Sequence, residues 1–163
     1  MPEEPKYVTM VCTANVCRSP MAAKLLEHAL AAEAEPLRSL KVISTGVASW
    51  DGTGATPQAV KAMEKVGLDI TNHRSRALTG EIMDNSLAVF CMTESHKNMV
   101  RKMFPDKTGA PIFLVREFMP AGVGREIPDP YGATLDVYEE CRDSIVEAVP
   151  SLVKFLKALT AKK

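Results

Sequence analysis

The stretch from Met10 to Met21 constrains the fold of this chain most strongly, because a strand end, a short loop and a helix start follow one another there. Residues 7–11 are apolar and largely β-branched, which is typical of a short buried strand. Ser19 and Pro20 open a run rich in alanine and leucine, and they predict an N-cap followed by the first residue of a helix. In such a unit, backbone N–H groups and the positive end of the helix face the loop.

Cys12 and Arg18 enclose five loop residues, and this spacing suits a phosphate group. Successive N–H groups in a tight loop can form an anion nest. The Arg18 guanidinium offers a planar fork of donors that matches two phosphate oxygens. The same positive field stabilises a thiolate, to which the Ser19 hydroxyl can donate. The loop therefore predicts that Cys12 is a nucleophile, although an ordinary buried cysteine at a strand end is the alternative.

The order of apolar and amphipathic segments predicts the fold class. We expect strands at residues 7–11, 40–44, 87–92 and 111–115, and helices at residues 20–33, 57–66, 94–103 and 135–159. Alternation of this kind predicts parallel strands joined by right-handed crossovers. We therefore expect an α/β fold with three layers, in which a four-stranded parallel sheet of order 2-1-3-4 carries helices on both faces. Pro150 is expected to kink or break the last helix, and the length of 163 residues favours one domain over residues 1–163.

Composition argues against several kinds of partner. The 20 basic and 20 acidic residues give a formal net charge of zero, so no overall field attracts nucleic acid or a membrane surface. No apolar run reaches a transmembrane length, and residues 1–5 are acidic with no apolar signal region. Four cysteines without a signal segment lead us to expect a reducing, cytoplasmic location. No feature determines the oligomeric state, and we favour a monomer.

A second informative stretch is Ile127-Pro-Asp-Pro-Tyr-Gly132. Prolines on both sides of Asp129 restrict the backbone and present the carboxylate at a set angle. Displacement at phosphorus needs an acid for the leaving oxygen and then a base for water, and one carboxyl group can serve both steps. A simple turn is the alternative interpretation. The Cys-x5-Arg loop elsewhere in the chain favours the catalytic one.

Two further side chains need interpretation. Trp50, the single tryptophan, lies in a loop of small and polar residues, where it can form a wall of a ring-binding cleft or simply pack. His96 is interpreted as a surface residue of a helix rather than as a catalytic base. A zinc site is disfavoured, because Cys12 and Cys17 lack a second ligand pair at suitable spacing. We therefore expect no metal.

Residues 12–22, Cys-Thr-Ala-Asn-Val-Cys-Arg-Ser-Pro-Met-Ala, resemble the signature loop of the low-molecular-weight protein tyrosine phosphatases, Cys-x-Gly-Asn-x-Cys-Arg-Ser-Pro. The resemblance extends over residues 7–159. It departs at Ala14, where the family has glycine, at a cost of about 1–2 kcal/mol if that position needs a positive φ or close approach of the phosphate. The resemblance implies a phosphate-binding loop between Cys12 and Arg18 that comprises Thr13, Ala14, Asn15, Val16 and Cys17, with Ser19 following.

The resemblance also implies roles outside the loop. Asp129 would be the general acid, and Tyr131 would face Trp50 as the second wall of the substrate cleft. Ser44 and His73 would support Asn15 by hydrogen bonds. Asparagine tolerates the left-handed backbone conformation that such a loop residue adopts.

A redox role follows from the same resemblance. Cys17 would be the vicinal thiol that forms a reversible disulfide with Cys12 under oxidation. This pairing requires that the loop bring the two sulfur atoms together.

The resemblance implies a hydrolase that removes phosphate from phosphotyrosine in proteins through a phosphocysteine intermediate, with no cofactor. The chain also looks like the bacterial branch that includes protein arginine phosphatases, which carries Thr before its second loop Cys. Val16 stands there and has no hydroxyl to orient a guanidinium or water, so it favours phosphotyrosine.

Two other functions are disfavoured. An arsenate reductase needs an extra redox cysteine pair, whereas Cys91 and Cys141 are isolated in the sequence. A non-catalytic phosphate-binding module would have lost Cys12 or Asp129, and both are present.

Overall fold

The computed structural model describes residues 7–106 and 110–161. Within them, four strands form a parallel sheet in the order β2-β1-β3-β4: β1 (Tyr7–Cys12), β2 (Lys41–Gly46), β3 (Ser86–Cys91) and β4 (Ile112–Leu114). The predicted order 2-1-3-4 is confirmed. The expectations of an acidic segment at residues 1–5 and of one domain over residues 1–163 extend beyond the described residues.

Helices cover both faces of this sheet. In the described part of the chain they are α1 (Arg18–Ala31), α2 (Pro57–Glu64), α3 (Gly80–Asp84), α4 (Glu94–Met103) and α5 (Leu135–Ala161), with a 3-10 helix at Leu37–Ser39. None of them is long and apolar enough to cross a membrane.

Strand alternation separates two apolar clusters. In β1, Met10 contacts the cluster formed with α1, α2 and α5, whereas Val11 contacts the cluster formed with α3 and α4. In β3, Phe90 and Val89 divide in the same way. Successive strand residues point to opposite faces, so this partition produces the three predicted layers.

The start of α1 differs from the prediction. The helix begins at Arg18, its N-cap is Cys17, and no side chain caps it. Ser19 therefore lies inside the first turn, and its hydroxyl instead contacts Cys12, Asn15 and the carbonyl oxygen of Thr45. The Ser19 hydroxyl was predicted to cap the helix, but its hydrogen bonds are made to these groups around the loop instead.

The rest of the helix pattern was predicted with two exceptions. Pro150 does not break α5, which is continuous around it. Buried residues on both sides of the proline, Ile145 and Leu152, hold the two halves against the same core. The helix α3 was not predicted, because five residues are too few to show a hydrophobic period.

Candidate active site

The loop between β1 and α1 folds around Asn15. Asn15 has a φ of 61°. Among the described residues, no other non-glycine residue has a positive φ. Ala14 therefore does not occupy the left-handed region, so its replacement of the family's glycine carries no left-handed strain. The exposed Ala14 instead accepts a hydrogen bond at its carbonyl oxygen from the Ser49 hydroxyl at 3.0 Å.

Three long-range or loop contacts hold the buried Asn15. Its amide nitrogen donates to the Ser19 hydroxyl at 2.7 Å, and its side-chain oxygen accepts from the backbone N–H of Arg76 at 2.9 Å. The Nε2 atom of His73 lies 2.6 Å from the Asn15 carbonyl oxygen. The predicted contact of His73 with Asn15 is thus present in the described structure.

Ser44 does not make the predicted hydrogen bond to Asn15. It is buried in β2, and the hydrogen bonds of Asn15 among the described residues go to Ser19, His73 and Arg76 instead. The Asn15 side-chain oxygen is engaged by the backbone of Arg76, a partner that no sequence motif indicated. The hydrogen-bond prediction for Ser44 was therefore wrong.

His73 is a neutral hydrogen-bond donor. Its ring is half-buried, and burial is the main cause that lowers its pKa, with the nearby Arg76 and Arg74 adding to the effect. Because the partner atom is a carbonyl oxygen, the Nε2 atom must carry the ring proton. The ring therefore ties the loop to the segment after α2.

Cys12 lies at the base of the loop, at the carboxyl end of β1. Its sulfur atom is 3.0 Å from the Ser19 hydroxyl oxygen. Ser19 already accepts a hydrogen bond from the Asn15 amide, so its own hydroxyl proton is available for donation to Cys12 or to the Thr45 carbonyl oxygen at 3.2 Å. When Cys12 is a thiolate, this hydroxyl is positioned to stabilise the negative charge.

The end of β2 approaches the loop so closely that only glycine fits at Gly46. A Cβ atom there would lie 2.5 Å from the Thr13 carbonyl oxygen and 3.0 Å from the Asn15 backbone nitrogen. The two residues after Gly46 continue the contact, since Val47 and Ala48 donate to the carbonyl oxygens of Cys12 and Thr13. The second strand thus forms a rigid back wall for the loop.

Arg18 is buried and joins the two sequence motifs. One terminal nitrogen donates to the Ile127 carbonyl oxygen at 2.9 Å, and the other donates to the Thr13 hydroxyl at 3.3 Å. The second nitrogen also lies 3.7 Å from a carboxylate oxygen of Asp129. The guanidinium therefore brings Asp129 to the mouth of the loop, 117 residues away from Cys12 in sequence.

Asp129 is presented by an ordered turn. Its other carboxylate oxygen accepts the backbone N–H of Tyr131 at 3.0 Å, and the side chain is about half exposed. Just before it, the Ile127 N–H donates to the Met92 carbonyl oxygen at 2.9 Å. Farther upstream the buried Arg116 donates to the Gly124 carbonyl oxygen at 2.6 Å. These contacts fix the approach to Asp129 and leave the carboxylate open to the cleft.

Trp50 and Tyr131 stand at the rim of a cleft of about 520 Å³. They are 85% and 70% exposed, so neither ring packs in the hydrophobic core. The walls also include Val16, whose side chain is buried. The remaining lining residues are Cys12, Thr13, Ala14, Cys17, Arg18, Thr53, Gly54, Ala55, Thr56, Pro57 and Asp129.

Cys17 lies beneath the loop in a small polar network. Its sulfur atom is 3.4 Å from the Tyr138 hydroxyl and 3.6 Å from the Thr56 hydroxyl. Burial raises the pKa of the Cys17 thiol, and it raises the pKa of Tyr138 to about 12. The sequence does not indicate this contact, because a helical pattern does not show that the Tyr138 hydroxyl reaches a thiol.

His96 is buried, contrary to its interpretation as a surface residue. It is 5% exposed, and its Nε2 atom lies 2.9 Å from the Thr13 hydroxyl oxygen. Burial, followed by the positive charge of Arg18, lowers the pKa of His96 to about 4. The Thr93 cap, three positions earlier, indicates only that His96 lies in the first turn of α4; that this turn packs inward is not visible in the local sequence.

The other two cysteines do not line the cleft. Cys91 and Cys141 are buried, and burial raises the pKa of each to about 12. Over residues 7–106 and 110–161, no three histidine, cysteine or carboxylate side chains come together in a way that would hold a metal ion.

The chain is similar to known proteins over most of its length. Residues 7–163 match the family model described as low molecular weight phosphotyrosine protein phosphatase. A protein-arginine-phosphatase of Geobacillus stearothermophilus is 35% identical over 156 residues, which are 94% of this chain and 97% of that protein. The probable low molecular weight protein-tyrosine-phosphatase EpsP of Ralstonia nicotianae is 33% identical over 154 residues, with 94% and 98% covered.

Solved structures show the same architecture. The YwlE arginine phosphatase from Geobacillus stearothermophilus has a TM-score of 0.82 at 32% identity, with 97% of both chains covered. A low molecular weight protein tyrosine phosphatase from T. tengcongensis has a TM-score of 0.81 at 31% identity, with 91% of this chain and 97% of that chain covered.

Proposed function

Because the chain belongs to the low molecular weight phosphotyrosine protein phosphatase family, we propose that it hydrolyses phosphotyrosine in protein substrates through a phosphocysteine formed on Cys12. The observation that carries this proposal is the cleft itself. Cys12 and Arg18 lie at its base, Asp129 at its mouth, and two aromatic rings at its rim. A phosphorylated phenyl ring enters such a cleft with its phosphate toward the cysteine.

In the first step, the Cys12 thiolate attacks phosphorus. A sulfur–phosphorus bond forms, the bond to the phenolic oxygen breaks, and its electron pair leaves with that oxygen. Asp129 protonates the leaving oxygen. Arg18 and the loop N–H groups stabilise the negative charge on the three equatorial oxygens in the transition state.

In the second step, the Asp129 carboxylate accepts a proton from water as the water attacks phosphorus. The sulfur–phosphorus bond breaks, inorganic phosphate forms, and Cys12 returns to the thiolate that Ser19 stabilises at 3.0 Å. Side chains and backbone of this chain supply every group that the two steps use. The proposed mechanism therefore involves no metal and no cofactor.

A protein arginine phosphatase with the same mechanism is the second candidate. It is favoured by the relatives and the structural neighbours that carry that name, two of each. Val16 argues against it, because the side chain in this cleft wall has no hydroxyl to orient a guanidinium or a water molecule. Tyr131 at the rim also suits a phenyl ring. We therefore place phosphotyrosine first.

The test compares initial hydrolysis of matched phosphotyrosine and phosphoarginine peptides by the wild type, Cys12→Ser and Val16→Thr. We expect a preference for phosphotyrosine that Val16→Thr reduces, and no hydrolysis by Cys12→Ser. Cys141→Ser is the matched control, because it removes a buried thiol outside the cleft. A preference for phosphoarginine in the wild type would reverse the choice of substrate, and activity that survives in Cys12→Ser would refute the mechanism.

We also propose that Cys17 protects Cys12 as its disulfide partner during oxidation. Both thiols are free and buried. We also propose a cytoplasmic location, because the nucleophile must stay reduced. We propose that the protein acts as a monomer, because one chain contributes all of the proposed catalytic groups.

A further inference from the structure

His96 is held rigidly at the first turn of α4. Its backbone N–H donates to the hydroxyl of the N-cap Thr93 at 3.2 Å. The N–H of Glu94 donates to a carboxylate oxygen of Glu126 at 2.7 Å, which ties the same turn to the loop before Asp129. The ring is 5% exposed, so its direction is set by these contacts and by packing. No step of the proposed mechanism uses it.

The contacts of the ring indicate which nitrogen carries the proton. The Nε2 atom lies 2.9 Å from the Thr13 hydroxyl oxygen, whereas Nδ1 is buried with no partner among the described residues. A proton on Nδ1 would leave a buried N–H without an acceptor, which is rarer in proteins than an unused lone pair. Because the pKa of His96 is lowered to about 4, the ring carries one proton near neutral pH. That proton therefore resides on Nε2, and the ring donates to Thr13.

This assignment determines what the Thr13 hydroxyl can do. Its oxygen accepts one hydrogen bond from His96 and a second from Arg18 at 3.3 Å. Both lone pairs are then occupied, so the hydroxyl proton must be donated elsewhere. Thr13 is exposed and lines the cleft beside Cys12.

On the basis of the proposed phosphatase function, we infer that His96 is a positioning residue whose N–H orients the Thr13 hydroxyl to donate to an oxygen of the bound phosphoryl group. The ring itself does not line the cleft. It acts through Thr13, whose hydroxyl oxygen accepts hydrogen bonds from both His96 and Arg18. The opposite direction, from Thr13 to Nε2, would turn the proton away from the substrate.

The test measures the affinity for inorganic phosphate by calorimetry, together with the melting temperature of each variant. Thr13→Val and His96→Leu are each expected to weaken phosphate binding roughly tenfold, since each removes a hydrogen bond on the path to a charged ligand. The double variant should bind no more weakly than either single variant, because both changes act on one hydrogen bond. His96→Gln, whose amide can donate from the position of Nε2, should regain most of the lost affinity.

His28→Gln is the matched control, because that histidine is exposed on α1 and should leave the affinity unchanged. Effects of Thr13→Val and His96→Leu that multiply would contradict the inference, and so would a Thr13→Val variant with wild-type affinity. If His96→Leu does not fold, Thr13→Val and His96→Gln still decide the question. Binding is measured without turnover, so a wild type that binds phosphate but hydrolyses no phosphopeptide would refute the proposed function separately.

Discussion

At the scale of single residues, the site depends on a few side chains whose chemistry differs from that of their neighbours. Asp129 is the clearest example, because it is the half-exposed carboxylate paired with the buried Arg18. In the proposed mechanism this carboxyl group transfers one proton in each step. Its removal should therefore affect turnover more than substrate binding.

We expect Asp129→Asn to lower kcat for a phosphotyrosine peptide by about 10²–10⁴-fold with a small change in KM, because general acid catalysis is lost. Steady-state kinetics provide the measurement. The loss should shrink for an aryl phosphate with a more acidic leaving group, which needs less protonation. Asp143→Asn, which removes an exposed carboxylate from α5, serves as the control. An equal loss in both variants would contradict the role of Asp129.

His96 predicts how the free energy of unfolding depends on pH. Its pKa is about 4 in the folded protein and 6.5 in the unfolded chain, so the unfolded chain binds more protons between these values. The groups that act on the ring, besides burial, are Arg18, Asp129 and Glu126. The stability from the neutral ring is present above pH 6.5 and is lost as the pH falls toward 4.

This contribution amounts to about 2 kcal/mol between pH 7.5 and pH 5. Urea unfolding at the two pH values should show that His96→Gln loses stability less steeply than the wild type on acidification. His73, whose pKa is also lowered, acts in the same direction and is retained in both proteins. An identical pH dependence in the wild type and His96→Gln would refute the assignment.

At the scale of elements, the site is built where β1, β2 and α1 meet. The end of β2 passes directly behind the loop, and Gly46 is the point of closest approach. A side chain at this position would clash with the backbone atoms of Thr13 and Asn15. Backbone moves less readily than a flexible side chain, so the clash would not be relieved easily. The loop conformation therefore depends on an element that contributes no proposed catalytic group.

Gly46→Ala should destabilise the protein by about 1–3 kcal/mol and lower phosphatase activity, because its Cβ would meet the Thr13 carbonyl oxygen at 2.5 Å. Thermal unfolding and kinetics measure the two effects. Gly124→Ala is the matched control, since a Cβ there meets no atom within 4 Å. Equal stability of the two variants would show that β2 does not constrain the loop.

At the scale of the whole molecule, helices that are distant in sequence converge beneath the loop. Cys17 in the loop contacts Thr56 next to α2 and Tyr138 in α5. The two hydroxyls also contact each other at 3.3 Å. This network surrounds the thiol that we propose as the disulfide partner of Cys12.

Oxidation tests this network. Peroxide converts the Cys12 thiolate to a sulfenic acid, and the Cys17 thiol then condenses with it, which forms a disulfide and releases water. Activity of the wild type should return after treatment with a thiol reductant, whereas Cys17→Ser should recover far less, because Cys12 proceeds to irreversible oxidation states. Cys141→Ser should recover like the wild type. Full recovery of Cys17→Ser would exclude the protective disulfide.

The fold could be predicted from sequence to a large extent. The sheet order was predicted correctly because alternating strands and helices with right-handed crossovers leave few topologies. The bounds of α4 were predicted correctly because apolar periodicity and caps are local signals. The start of α1 was placed two residues too late, because Ser19 contacts the loop instead of capping the helix. Pro150 was expected to kink or break α5, and it does not break it, because packing on both sides outweighs the local preference.

For the candidate site, the sequence by itself determined the spacing of Cys12 and Arg18 and the proline-flanked Asp129, because these depend only on neighbours along the chain. The tertiary structure decided that Arg76 rather than Ser44 supports Asn15, and that His96 is buried against Thr13. These contacts join residues 61 and 83 positions apart. Which hydrogen-bond partners remain for a buried polar group depends on the surfaces that pack together, and local sequence carries little information about that packing.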